Sequence, residues 1–123
     1  MAVARTWGYT GMPLRGVHIN TATAAYTLTR DDSGIFFINQ YTTNTTYTLP
    51  ACADGAGCIF FFMNANTTST LAITSPTADT LCANDDATAT TNTSAADCGS
   101  WAMVVGDGTY WYCFEGSGTW TAT

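Results

Sequence analysis

The sequence predicts an all-β fold: an antiparallel β-sandwich or small, jelly-roll-like barrel led by an extended N-terminal arm. Three observations carry this. Threonine occurs 25 times in 123 residues, and its β-branched side chain suits a pleated surface better than a helix. Apolar residues recur at alternate positions over short runs, punctuated by Gly, Pro, Asp and Ser. No stretch of useful length has helical periodicity. About eight to ten strands at this spacing fit a sandwich or barrel. The length fits one domain, with residues 1–20 as the arm, residues 21–123 as the β-rich body, and no internal repeat.

The elements follow in order. Residues 1–20 alternate Gly and Pro with isolated large groups, Trp7 and Tyr9 among them, and match neither the helix nor the strand template. A segment without a core of its own is expected to lie extended against a partner. Ala24 to Thr29 alternates, with Tyr26 and Leu28 on one face, and Asp31-Asp32-Ser33-Gly34 is turn chemistry. Strands are expected at Ile35 to Gln40, at Tyr47 to Leu49 before Pro50, at Cys58 to Met63 and at Thr70 to Thr74. Cys58 to Met63 is apolar enough for a strand covered on both faces. Residues 83–98 are polar and predict short edge strands and loop. Trp101 to Val105 and Thr109 to Phe114 flank Gly106-Asp107-Gly108, a hairpin signal. With Asp107 and Gly108 as the two turn residues, Val104 is expected opposite Trp111 and Ala102 opposite Cys113. Thr119 to Thr123 is the last strand. The expected core is Tyr26, Leu28, Phe36, Ile38 and Leu49, with Phe60, Phe62, Leu71, Ile73 and Val104.

Nine acids, three arginines and no lysine give a net charge of −6. This argues against nucleic acid and against an anionic membrane as partners, since both need clustered cations. Arg5 and Arg15 precede the first acid, Asp31, so a basic arm leads an acidic body. Residues 1–20 lack the continuous apolar run of a signal peptide. Synthesis in a cytoplasm is the expectation.

Catalytic chemistry is not expected. His18 is the only histidine and lies in the arm, away from any Gly-x-Ser-x-Gly elbow. Asp31-Asp32 and Asp85-Asp86 are sequence neighbours that point apart on a strand and fit turns instead. Asn84-Asp85-Asp86 lacks the spacing of a calcium loop. Five cysteines are an odd set without C-x-x-C spacing. Cys52 and Cys58 bracket a turn-like stretch and either bond each other or stay free like the rest. No metal and no cofactor are expected. On the final hairpin Trp101, Tyr110 and Tyr112 share one face, and Trp111 shares the other with Val104. One face is core, and the other is better read as interface than as ligand surface.

The stretches Leu28-Thr29-Arg30-Asp31-Asp32-Ser33-Gly34-Ile35-Phe36-Phe37-Ile38-Asn39, Tyr47-Thr48-Leu49-Pro50, Gly57-Cys58-Ile59-Phe60-Phe61-Phe62 and Val104-Val105-Gly106-Asp107-Gly108-Thr109-Tyr110-Trp111-Tyr112 resemble a pattern of tailed-phage virion proteins. Capsid decoration (cement) proteins and some fibre modules carry it. The resemblance spans residues 26–120 through short turn motifs. It implies a β-rich body assembled as a homotrimer on the capsid exterior, with no catalytic residues to transfer. The leading expectation is therefore a decoration protein of the virion, bridging major capsid protein subunits. Its partner-binding candidates are Arg5, Trp7, Tyr9 and Arg15 in the arm and Trp101, Tyr110 and Tyr112 on the hairpin. The alternatives are a receptor- or glycan-binding module of a tail fibre and, more distantly, a small secreted lectin-like sandwich.

Overall fold

The computed structural model describes residues 14–123. Its strands are β1 (Gly16–Asn20), β2 (Ala25–Thr27), β3 (Ile35–Asn39), β4 (Thr45–Thr48), β5 (Ile59–Asn64), β6 (Leu71–Thr74), β7 (Leu81–Ala83), β8 (Asp86–Ala89), β9 (Thr91–Ser94), β10 (Trp101–Gly106), β11 (Trp111–Ser117) and β12 (Trp120–Ala122). Short 3-10 turns lie at Arg30–Asp32 and Cys52–Asp54. The strands form two packed sheets, one of seven in the order β1-β3-β5-β10-β11-β7-β8 and one of five in the order β12-β9-β6-β4-β2. The sandwich expected from the sequence is the fold.

The sheets are mixed rather than antiparallel. The first six strands alternate between the two sheets, so β1, β3 and β5 pair in parallel, as do β2, β4 and β6. Parallel neighbours need a long crossover, and here each crossover is a strand of the opposite sheet. The chain thus winds three turns of a flattened coil. Ile35 stands opposite Gly16, and Phe61 opposite Phe36. An internal repeat runs through this coil after all: Val17-His18-Ile19-Asn20, Phe36-Phe37-Ile38-Asn39 and Phe61-Phe62-Met63-Asn64 are its three equivalent rungs. Because β1 is an edge strand of the larger sheet, residues 16–20 belong to the body rather than to a separate arm.

Between the sheets lie Leu28, Leu49, Phe60, Phe62, Leu71, Ile73 and Val104, all buried as expected. Tyr26 is half-buried and packs against them. On β3 the expected phase is inverted. Phe37 points inward and stacks on Phe62 at 5.6 Å, whereas Phe36 and Ile38 face outward. Tyr47 is fully buried among Tyr26, Phe37 and Phe62, and burial pushes its phenol up to about 12. Trp111 closes the core at the far end, its Nε1–H donating to the Pro50 carbonyl at 3.2 Å. Its ring lies so close over Gly55 and Gly106 that a Cβ at either position would collide with it.

Two more expectations are corrected and one left open is decided. The hairpin β10–β11 pairs Gly106 with Trp111, Val104 with Cys113 and Ala102 with Glu115. The connection is a four-residue loop because the Asp107 carboxylate accepts the amides of Thr109 and Tyr110 at 2.8 and 2.7 Å. Within residues 83–98, β9 is an inner strand between β12 and β6. Asn84 and Asp85, at φ 48° and 64°, make the two-residue turn of the β7–β8 hairpin. Cys52 and Cys58 are both free thiols, Cys52 facing Ser75 and Cys58 the Asp54 carbonyl.

Candidate interaction surfaces

The outer face of the seven-stranded sheet follows directly from the strand registers. Val17, Phe36, Phe61, Met103 and Phe114 form one row across five strands. Ile19, Ile38, Met63 and Trp101 form a second. Neither β1, β3, β5 nor β10 contains an Asp, Glu, Lys or Arg. Val17, Ile19 and Phe114 are half or more exposed. A strand that faces water usually alternates apolar with polar residues. Here both alternation phases are apolar, the composition of a contact face rather than of a wetted one.

The outer face of the smaller sheet is different in kind. Thr48, Thr74 and Thr91 line up across β4, β6 and β9, and the hydroxyls of Thr74 and Thr91 bond at 2.7 Å. Such a surface is wetted without charge, which accounts for much of the threonine content.

The hairpin aromatics do not form one cluster. Trp101 joins Leu14, Phe36, Phe61 and Met63 around an apolar cleft of about 250 Å³. Tyr110 and Tyr112 instead line a groove of about 340 Å³ with Asp79, Cys82, Ala87 and Thr88. The Tyr112 hydroxyl donates to the Asp107 carboxylate at 2.7 Å, which fixes its ring over the groove. The Tyr110 amide, the Tyr112 hydroxyl and the Thr109 amide hold the Asp107 carboxyl below the usual carboxylate range. The same bond raises the Tyr112 phenol.

Arg5, Trp7 and Tyr9 lie outside the described residues. Arg15 serves its own chain, its guanidinium donating to the main-chain carbonyls of Ser33, at 2.6 Å, and Asp31. Its guanidinium is thus engaged by carbonyls of the turn before β3. Arg30 does similar work, donating to the carbonyls of Asp54 and Ala56 at 2.7 and 2.9 Å. His18 is half-buried and turns inward to pack on Tyr26 and Phe37 at 5.0 and 5.8 Å.

A polar set lies between the sheets. Asn92 donates to Glu115 at 2.7 Å and approaches the Cys113 thiol, which burial pushes up to about 12. A thiol held protonated and buried is a packing group, not a nucleophile.

Sequence reasoning missed Val17, Ile19, Phe36 and Phe114 as surface residues, and placed Phe61 in a strand covered on both faces. For Phe36 the signal was present, since Ile35 to Ile38 is an unbroken apolar run like Ile59 to Met63. Set against known protein families and curated proteins, the sequence matches no family and no curated protein.

Proposed function

We propose that this chain is a structural, partner-binding protein, and specifically a capsid decoration protein that bridges major capsid subunits as a homotrimer on the exterior of a virion. The observation that carries the reading is the uncharged, apolar outer face that β1, β3, β5 and β10 present in the seven-stranded sheet. A chain of net charge −6 that keeps these four adjacent strands free of charge is suited to bury that part of the face against protein. The turn motifs that resemble those of phage virion proteins support a capsid as the partner. Each bound copy spanning two capsid subunits would stabilise the shell and not the free subunits.

Density-gradient sedimentation of intact heads tests this. The native protein is expected to travel with the heads, and Phe114→Asp, on the exposed outer row, is expected to stay in the soluble fraction while folded. A protein that co-sediments with tail fibres instead would sink the proposal.

A second reading, a glycan-binding fibre module, is favoured by the Tyr110–Tyr112 groove. Two rings beside the Asp79 carboxylate and the Thr88 hydroxyl combine stacking faces with polar groups.

A further inference from the structure

We infer that the cavity between Arg15 and Arg30 is a binding site for a sugar acid, a small molecule that carries one carboxylate beside hydroxyl groups. The cavity is a polar concavity of about 560 Å³, bounded by Arg15, Arg30, Asp31, Ser33, Gly57 and Cys58. Small-molecule sites commonly enclose about 300–1,000 Å³. It shares no residue with the Trp101 cleft or the Tyr110–Tyr112 groove, so it stands apart from both readings above.

The two arginines supply the anion-binding half. Arg15 commits Nε and Nη2 to the carbonyls of Ser33 and Asp31. Arg30 commits Nη1 to the carbonyls of Asp54 and Ala56 and approaches the Cys58 thiol at 3.6 Å. All of these acceptors are neutral, so they orient the guanidinium groups without cancelling their charge. Among the described residues, Nη1 of Arg15 and both Nε and Nη2 of Arg30 have no partner and are left for a ligand. A guanidinium edge matches a carboxylate in a two-point fork, and an anchored one loses little freedom on binding.

The rest of the lining sets the ligand class. Asp31 is exposed, and its carboxylate accepts no hydrogen bond among the described residues. Ser33 Oγ accepts the Ile59 amide at 3.0 Å, and its own O–H has no acceptor there. Two guanidinium charges against the one Asp31 carboxylate leave a single net positive charge in the cavity. That suits a monoanion and disfavours a doubly charged sulfate or phosphate, which Asp31 repels. An ionised carboxylate can only accept, so Asp31 calls for O–H donors on the ligand. A carboxylate with hydroxyls beside it satisfies the arginines, Asp31 and Ser33 together.

Isothermal titration calorimetry of the full chain with glucuronate, glucose, acetate and sulfate tests this. Glucuronate is expected to bind saturably, and each of the other three at least about ten-fold more weakly, a difference of roughly 1.4 kcal/mol. Amide shifts in NMR spectra of the wild type are expected at Arg15, Ser33, Gly57 and Cys58. Arg15→Gln is expected to weaken glucuronate binding at least about ten-fold. Asp31→Asn is expected to weaken glucuronate and to strengthen sulfate, an inversion that loss of structure would not produce. Circular dichroism confirms that both variants fold. Sulfate bound as tightly as glucuronate by the wild type would make the cavity a bare charge site and overturn the inference. So would shifts centred on Tyr110 and Tyr112, or the absence of saturable glucuronate binding.

Discussion

Asn20 donates through Nδ2 to the Oδ1 of Asn39 at 3.0 Å, a bond between two buried side chains at paired positions of the parallel strands β1 and β3. Asn64 occupies the equivalent position on β5. Each of the three residues ends its strand where the chain turns toward the other sheet. Asn20 accepts the amides of Ala22 and Thr23, and Asn64 donates to the Ser69 carbonyl at 2.8 Å. The Asn20 amide thus ties the first two rungs together, and Asn20 and Asn64 fix the turns after their strands, while Asn39 Nδ2 and Asn64 Oδ1 are buried without a partner among the described residues. A buried amide network of this kind specifies register, because a slipped strand would strand polar groups in an apolar layer.

Replacing Asn39 with Ala is expected to destabilise the fold by about 2–3 kcal/mol, since it deletes one bond and leaves the buried Asn20 donor without that acceptor. Asn39→Leu is expected to be no better, for the same reason. Urea unfolding monitored by fluorescence measures both. A midpoint unchanged in Asn39→Ala would show that the ladder contributes nothing to register or stability.

Much of this architecture was legible in the sequence, and the failures have identifiable causes. Strand positions came through because Thr-rich alternation and Gly, Pro and Asp punctuation are local signals. Pairing partners are not local. Parallel pairing of β1, β3 and β5 depends on the intervening strands crossing to the other sheet, and the clue was the recurrence of apolar residues one and three positions before Asn20, Asn39 and Asn64. The phase of β3 was lost because Ile35-Phe36-Phe37-Ile38 is apolar at every position, so alternation says nothing about which side faces in. The hairpin register was lost to one side chain: Asp107 caps the Thr109 and Tyr110 amides and widens the turn. Of the candidate surface, Trp101, Tyr110 and Tyr112 were correctly placed on the exposed face of the hairpin. That they serve two separate concavities depends on Leu14, β3 and β5 for one and on β7 and β8 for the other.

The phase of β3 can be tested by substitution. Phe37→Ala and Phe62→Ala remove stacked, fully buried rings and are each expected to cost on the order of 3–5 kcal/mol. Phe36→Ala, on the outer row, is expected to cost clearly less. Thermal unfolding of the three variants side by side decides it. Equal losses for Phe36 and Phe37 would mean that both faces of β3 are packed in the isolated chain.

The β10–β11 loop should respond to pH at both ends of the scale. Asp107 is held below the ordinary carboxylate value of 3.8, first by the Tyr110 amide and then by the Tyr112 hydroxyl. A lowered folded pKa gives stability that is full above the unfolded value and lost as pH falls through the folded one. Tyr112 is raised above 10.0, so its contribution is full below that value and lost as pH rises through the higher folded one. Asp107→Asn is therefore expected to melt below the wild type at neutral pH, with the gap closing as the pH drops below about 3.8. A gap that stays constant from pH 7 to pH 2 would show that the Asp107 charge has no part in holding the loop.

The Tyr110–Tyr112 groove and the apolar sheet face make opposite demands, and one pair of variants separates them. Tyr110 is exposed beside Asp79 and Thr88, away from the Trp101 cleft. Tyr110→Ala removes a stacking ring from the groove and leaves the rows of Phe61 and Phe114 intact. If the chain is a decoration protein, Tyr110→Ala is expected to bind heads as the wild type does, and Phe114→Asp to lose binding at least about ten-fold, the effect of removing roughly 1.4 kcal/mol from an interface. A glycan array probed with the wild type is expected to be blank. If sugars bind and Tyr110→Ala abolishes that binding while head attachment never appears, the groove is the functional site and the fibre reading replaces the decoration reading. Both readings use the same scaffold, so the outcome turns on which exposed aromatic surface carries the affinity.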